Sequence, residues 1–151
     1  MSLQGLDDID MRILNELILD SRTPVRTIAN KTNVSVGTVF NRIKHMEEAG
    51  IIKSFTVAVD FDALGYHLNV MISLKIKRGM YPQLAEELAS EKEVITLYDV
   101  TGEYDGILIC VFTHRGELDR FLKKLQSHKL VEDTHTVLIL NKTKESSLSL
   151  I

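Results

Sequence analysis

Cysteine is scarce in this sequence of 151 residues, and so are tryptophan and proline. There is one cysteine, Cys110, no tryptophan and only two prolines. A single thiol cannot form a disulfide framework or supply a zinc ribbon, so small secreted disulfide proteins and cysteine-based zinc modules are excluded. No apolar run approaches the roughly 18 residues of a membrane-spanning helix. The five histidines lack metal-ligand spacing, and Cys110 lies in an apolar strand, so we predict an inert thiol, no metal site and no catalytic residue.

A basic excess is also missing from the chain as a whole. The net charge is −3, from 18 Lys and Arg against 21 Asp and Glu, which excludes a uniformly basic nucleic-acid coat. The first ten residues are acidic where a signal peptide would be basic, which predicts a cytoplasmic protein. Residues 21–58 are positively charged although the whole chain is negative, since this segment has six Lys and Arg against two Glu. This segment indicates a polyanionic partner, although a solvated charged face has the same composition.

The first sixty residues carry the start and stop signals of three helices. Asp7 and Asp10 form an acidic capping box before a first helix over 8–20. A second, short helix follows Thr23 as N-cap and Pro24 as its first residue, and Asn33 suits a left-handed turn. Ser35 caps a third helix that ends at Ala49. Residues 51–53 and 55–59 then read as two strands of a small wing, which completes a winged helix-turn-helix.

The third helix has two different faces. Val36, Val39, Ile43 and Met46 share one arc of about 80° at helical spacing, which predicts the buried side. The opposite side is small, amide-bearing or basic, as expected of a helix that reads base edges. Cations on it and nearby would bind phosphates. The predicted DNA-binding residues are Arg26, Lys31, Ser35, Gly37, Thr38, Asn41, Arg42, Lys44, His45 and Lys53. The alternative is a three-helix unit that is structural or binds protein.

The second half of the chain alternates between strand and helix patterns. Strands are predicted over 66–77, 94–101, 107–113 and 134–142, with helices opening at Pro82 and over 117–127. This β-α-β-β-α-β order is the ferredoxin-like arrangement, and the fold class is therefore α+β. We place a DNA-binding domain at 1–59, a linker at 60–65 and the βαββαβ domain at 66–151.

Two helices can cover only one face of a four-stranded sheet. Ile107, Ile109 and Val111 nevertheless point away from Leu108 and Cys110, so both faces of that strand are apolar. Since a solvated face should be polar, a second copy of the sheet is expected to cover it. We therefore predict a homodimer, which suits two-fold binding to a pseudo-palindromic site on double-stranded DNA.

Four motifs now cover nearly the whole chain: LDDIDMRILNEL, RTIANKTNVSVGTVFNRIKHMEEAGIIKSF, VDFDALGY and TGEYD. In this order and spacing, the chain resembles the Lrp/AsnC family of transcription regulators, also called feast/famine regulatory proteins. The resemblance implies a winged helix-turn-helix followed by an effector domain. It also implies dimers that often assemble further, commonly to octamers, a free amino acid bound between dimers, and association with the nucleoid.

The resemblance also places the effector site. In the family it is built around the loop that matches Thr101, Gly102, Glu103, Tyr104 and Asp105, with help from the strand that begins Thr134, His135 and Thr136. A carboxylate, Asp105 before Glu103, would accept the ammonium of the amino acid. Amides near Gly102 and threonine hydroxyls would bind its carboxylate. Tyr104 either walls the pocket or packs the loop.

Two alternatives belong to other functional classes. Sirohaem decarboxylases resemble the same family in sequence and length, and such an enzyme would bind a tetrapyrrole and show a visible absorbance band. A pure interaction module would show no salt-dependent affinity for DNA, and it would leave the free face of the third helix unexplained.

Overall fold

A computed structural model of the chain describes residues 5–144. The predicted domain ends at 1–4 and 145–151 lie outside the described residues. Two compact units divide the described chain, one up to Ala58 and the other from Val59 to Thr143.

Three helices make up the first unit: α1 (Asp8–Leu19), α2 (Val25–Thr32) and α3 (Val36–Glu48). The predicted capping box is present, since Asp7 and Asp10 each accept a hydrogen bond from the backbone N–H of the other. Asn33 has the predicted left-handed conformation, with φ 58°. The buried residues of this unit come from all three helices and the segment before α1: Leu6, Ile13, Leu17, Ile28, Ala29, Val39 and Met46.

Three local predictions in this unit are wrong. The N-cap of α2 is Pro24 rather than Thr23, and it makes no side-chain hydrogen bond. No strand is assigned between Ile51 and Val59, so the predicted wing strands are not formed in this chain by itself. Val36 is 48% exposed although it belongs to the arc predicted to be buried, because α3 begins at Val36, at the edge of the core.

The second unit is a four-stranded antiparallel sheet with two helices. Its elements are β1 (Leu68–Ile76), α4 (Tyr81–Ala89), β2 (Val94–Asp99), β3 (Gly106–Phe112), α5 (Arg115–Gln126) and β4 (Val131–Ile139). The strand order β2-β3-β1-β4 and the βαββαβ sequence confirm the predicted ferredoxin-like arrangement.

One face of the sheet packs against the helices. Val70, Ile72 and Leu74 of β1 and Leu108, Cys110 and Phe112 of β3 are fully buried there, together with Leu84, Leu88, Phe121 and Leu125 of α4 and α5. Desolvation by burial, followed by the charge of Glu93, raises the pKa of Cys110 to about 12. The thiol is therefore protonated at neutral pH, as expected of an inert core residue.

We use the name open face for the other side of the sheet. Its central row joins Ile109, Met71 and Val137 across β3, β1 and β4. The row on one side of it joins Val111, Asn69 and Ile139. Tyr98 of β2 lies on the same face, since it pairs with Ile107 of β3. The residues of the open face are mainly apolar; several are only half-buried, and Tyr98 and Val137 are exposed.

Candidate DNA-binding face and effector loop

Helix α3 begins with a tight polar cap. The Ser35 hydroxyl accepts a hydrogen bond from the Thr38 backbone N–H at 3.0 Å, and the two hydroxyl oxygens lie 2.8 Å apart. This cap satisfies one of the free N–H groups of the first turn and fixes where the helix starts. Ser35 is exposed and Thr38 is half-buried, so both hydroxyls lie near the end of α3 that presents the predicted base-reading residues.

The side of α3 away from the core carries the predicted DNA-binding residues together. Gly37, Asn41, Lys44 and His45 are all exposed. Lys44 lies 3.7 Å from Glu48 one turn later, in a fully solvated pair that costs little to break. The structure therefore presents an amide and a cation one turn apart on one free helical surface.

Gly37 is not required by the packing of the protein. A Cβ atom added there would meet only the Ser35 hydroxyl oxygen, at 3.8 Å, which is an ordinary contact. Glycine loses more backbone freedom than alanine when it enters a helix, so alanine would favour the helix more at this position. The helix thus carries a residue of low helix propensity on its free face, where it gives an approaching molecule access to the backbone.

Phe40 is a residue of this face that the sequence analysis missed. It is 60% exposed and lies one turn after Val36 and one turn before Lys44. The signal was present in the sequence, since an apolar side chain at this position falls outside the arc occupied by Val39, Ile43 and Met46.

Arg42 has a bonding role that the sequence analysis did not foresee. Its Nη1 donates to Asp7 Oδ2 and to Asp10 Oδ1, both at 2.7 Å, and so ties α3 to the start of α1. These two carboxylates raise the pKa of Arg42, chiefly through the hydrogen bond to Asp10. A DNA contact by Arg42 stays a prediction, and it would have to coexist with this double ion pair.

The remaining predicted cations differ in whether they have an ion-pair partner within the protein. Lys31 Nζ lies 2.6 Å from Glu16 Oε2, and its backbone carbonyl accepts a hydrogen bond from Arg12. Arg26 and Lys53 are exposed. Lys31 is therefore held by an intramolecular partner that a phosphate would have to replace.

In the second unit, Asp105 anchors the predicted effector loop. Its Oδ2 accepts a hydrogen bond from the Ile76 backbone N–H at 2.7 Å, and its own N–H donates to the Leu74 carbonyl at 2.9 Å. Asp105 is half-buried, whereas Thr101, Gly102 and Glu103 are exposed. The carboxylate thus has a structural bond in addition to any bond to a ligand.

Of the other predicted effector residues, Tyr104 and His135 lie together, whereas Thr134 and Thr136 lie apart from them. The rings of Tyr104 and His135 stack with centroids 6.3 Å apart at an interplanar angle of 25°. Burial, followed by the charges of Glu103 and Asp133, raises the pKa of Tyr104. His135 pairs with Ser73 and so lies on the open face.

Thr134 and Thr136 lie on the other side of the sheet from His135. They pair with Leu74 and Ile72, whose side chains point toward the helices, and side chains alternate along a strand. The three consecutive residues therefore cannot all line one small pocket on one side of β4.

Residues 5–144 contain neither a candidate metal cluster nor a candidate membrane span. In that range no group of three or more His, Cys, Asp or Glu is placed to hold a metal ion. None of the helices there is long and apolar enough to cross a membrane.

Comparisons with known proteins match both units of the chain. Residues 6–53 match the family model described as winged helix-turn-helix DNA-binding, and residues 69–149 match the Lrp/AsnC ligand binding domain. An HTH-type transcriptional regulator of Pyrococcus furiosus is 44% identical over 140 residues, which cover 93% of this chain and 95% of the relative.

Solved structures show the same fold. Escherichia coli AsnC superposes with a TM-score of 0.87 at 27% identity and covers 95% of this chain and 98% of its own. The complex of transcriptional regulator NMB0573 of Neisseria meningitidis with L-Met superposes with a TM-score of 0.88 at 24% identity, with 94% of each chain covered. Nothing in these matches supports the enzyme alternative. The chain belongs to the Lrp/AsnC family of transcription regulators, with a helix-turn-helix domain and a ligand-binding domain.

Proposed function

We propose that this regulator binds a pseudo-palindromic DNA site as a two-fold dimer, in the cytoplasm at the nucleoid, and that a free amino acid at the 101–105 loop controls its occupancy. The observation that carries the proposal is the free face of α3, which exposes Gly37, Asn41 and Lys44 on one surface. A surface of small, amide and basic side chains fits the edges of bases and the phosphates beside them.

The roles on this face follow from side-chain chemistry. The Asn41 amide can donate to and accept from adenine in a bidentate pair, which specifies sequence. Lys44 and His45 on α3, with Arg26 on α2 and Lys53 after α3, contact phosphates, which supply affinity without sequence preference. Specificity and affinity therefore depend on different side chains.

The open face supports the dimer. Ile109, Met71 and Val137 form an apolar row across three strands, and nothing in the described chain buries it fully. Asn69 Oδ1 is buried beside this row and has no hydrogen-bond partner among residues 5–144. An unpaired buried acceptor costs about 1–3 kcal/mol, which a donor from a second copy would recover. Sheet-to-sheet contact between two copies accounts for both features.

The effector loop suits a free amino acid. The Asp105 carboxylate retains an oxygen beyond the one bonded to Ile76, and Glu103 is exposed beside it, so either can accept from an ammonium group. Backbone amides near Gly102 and the Thr101 hydroxyl would donate to a carboxylate. The Tyr104–His135 stack forms a wall, and Thr134 and Thr136 would reach this ligand only from another subunit. The L-Met complex of the Neisseria regulator gives a precedent for the ligand class.

The assignment of roles on α3 is tested with two variants and one control. Asn41→Ala should cost about 1–3 kcal/mol on the preferred DNA and little on other sequences. Lys44→Ala should weaken binding to all sequences and reduce the slope of log K against log salt by about one. Lys123→Ala is the control, because Lys123 also pairs with an acidic residue four positions away but lies on α5.

The measurement is fluorescence anisotropy at two salt concentrations. The labelled duplex is selected from a random pool by the full-length protein, with an unselected duplex as competitor. Equal losses from Asn41→Ala on both duplexes, or a loss from Lys123→Ala as large as that from Lys44→Ala, would contradict the assignment.

A further inference from the structure

Two exposed apolar side chains border the polar free face of α3. Phe40 is 60% exposed and Val36 is 48% exposed, and they lie one turn apart. A single exposed apolar residue needs no explanation. Here, however, the two are neighbours on the surface that also carries Gly37, Asn41 and Lys44, all exposed. They are therefore continuous with the face proposed above to bind DNA.

Helical geometry places Phe40 at the edge of that face, between Val36 on the core side and Lys44. At about 100° per residue, Gly37 lies about 60° from Phe40, and Lys44 about 40°. Val36 is the first residue of the helix, beside the Ser35 cap. Recognition helices contact base edges mainly with their N-terminal residues, and Val36 to Asn41 form the N-terminal half of α3.

Gly37 provides an independent sign of close approach. The fold has room for a Cβ at this position, and alanine would favour the helix more than glycine does. Neither packing nor helix stability therefore explains why the residue is glycine. Without a side chain there, a partner surface can approach the helix backbone and come within reach of the Phe40 ring. The occupant must therefore lie close to α3 and offer an apolar group.

Only one base presents such a group in the major groove. Thymine carries a 5-methyl group, and apolar side chains, Phe among them, recognise it by contact. We propose that Phe40, with Val36 beside it, reads thymine methyl groups, and that Gly37 admits the base edge to this contact. The inference rests on the proposed DNA-binding function and adds a specificity determinant to it.

The test removes the methyl group from the DNA and the ring from the protein. A duplex selected from a random pool by the full-length protein is resynthesised with deoxyuridine in place of each thymidine in turn. The wild-type protein should lose about fourfold in affinity for each contacted methyl, which is the effect of burying about one carbon. Phe40→Ala should bind more weakly and no longer distinguish the two bases at that position.

Matched variants keep the result interpretable. Leu64→Ala is the control, since Leu64 is 62% exposed and lies in the linker, and it should leave the thymine preference unchanged. Phe40→Leu keeps an apolar contact and should restore part of the preference. Gly37→Ala should raise the thermal midpoint by a few degrees while weakening binding to the selected duplex.

Several outcomes would overturn the proposal. One is a wild-type protein that binds its selected duplex but is indifferent to deoxyuridine at every position. Another is a thymine preference that survives in Phe40→Ala. A third is an unchanged DNA affinity with an altered sedimentation coefficient in Phe40→Ala, which would make the patch a protein contact. If the wild-type protein selects no sequence from the pool, the proposed function fails together with this inference.

Discussion

The guanidinium of Arg42 joins the middle of α3 to both carboxylates of the α1 capping box. The Asp7 carboxylate thus serves two groups at once, because it caps α1 by accepting from the Asp10 backbone N–H and also accepts from Arg42. The backbone hydrogen bond from Asp10, followed by the side-chain bond to Arg42, lowers the pKa of Asp7 from its usual 3.8. At the residue scale, the orientation of α3, the helix proposed to read DNA, is tied to a charged cluster at the start of α1.

This cluster predicts a stability effect with a defined pH dependence. Arg42→Ala should lower the free energy of unfolding by about 1–2 kcal/mol, discounted for its partial exposure to water. Because the folded pKa of Asp7 is lowered, its contribution is complete above pH 3.8 and disappears as the pH falls through the lowered pKa. The stability difference between wild type and Asp7→Asn should therefore shrink below pH 3.8.

The measurement is urea unfolding followed by circular dichroism at neutral pH and at several values below 4. Asp8→Asn is the control, since it removes a neighbouring first-turn carboxylate that makes no bond to Arg42. A stability difference for Asp7→Asn that grows as the pH falls would contradict this account.

At the scale of elements, features set by neighbouring residues can be predicted from the sequence, whereas features set by tertiary contacts cannot. The Asp7 capping box and the Ser35 cap join groups three residues apart, and the sheet strands alternate over many residues, so the sequence alone reveals them. The wing strands were predicted from residue preference, but a strand forms only with a partner for its backbone, and no described residue pairs with 51–59. Periodicity located the buried side of α3 but not where the core ends, which is why Val36 was misplaced.

At the same scale, the open face leads to a prediction about how two copies of the chain assemble. Ile109 lies between Met71 and Thr96 in the register of the sheet, near its centre. Ile109→Glu should place a charge in the contact between two copies, and so convert dimers to monomers while leaving the fold intact. DNA affinity should fall steeply, since two half-sites would no longer be bound together.

Analytical ultracentrifugation measures the assembly, with Leu140→Glu as the control. Leu140 is 90% exposed and follows the last strand, so a charge there adds the same side chain outside the sheet. A protein that stays dimeric with Ile109→Glu would show that the copies meet elsewhere.

For the whole molecule, we propose that the amino-acid site and the DNA-binding face of α3 are coupled through assembly of the copies. The loop around Asp105 could be located from its motif, but its internal bond to Ile76 and the separation of Thr134 and Thr136 from His135 required the register of the sheet. An amino acid shifts occupancy of DNA only if it binds two assembly states unequally. Asp105 is the residue at which this coupling is most directly tested.

The most direct measurement is anisotropy of the selected duplex with full-length protein and each of the twenty amino acids. Asp105→Asn is the informative variant, because its amide oxygen can still accept from the Ile76 N–H while the charge is removed. Asp119→Asn is the matched control, since Asp119 is an exposed carboxylate on α5, outside the proposed site. We predict that one amino acid shifts the wild-type Kd at least about fivefold, and that Asp105→Asn binds DNA normally without this shift. No shift with any amino acid, or the same shift in Asp105→Asn, would contradict the account.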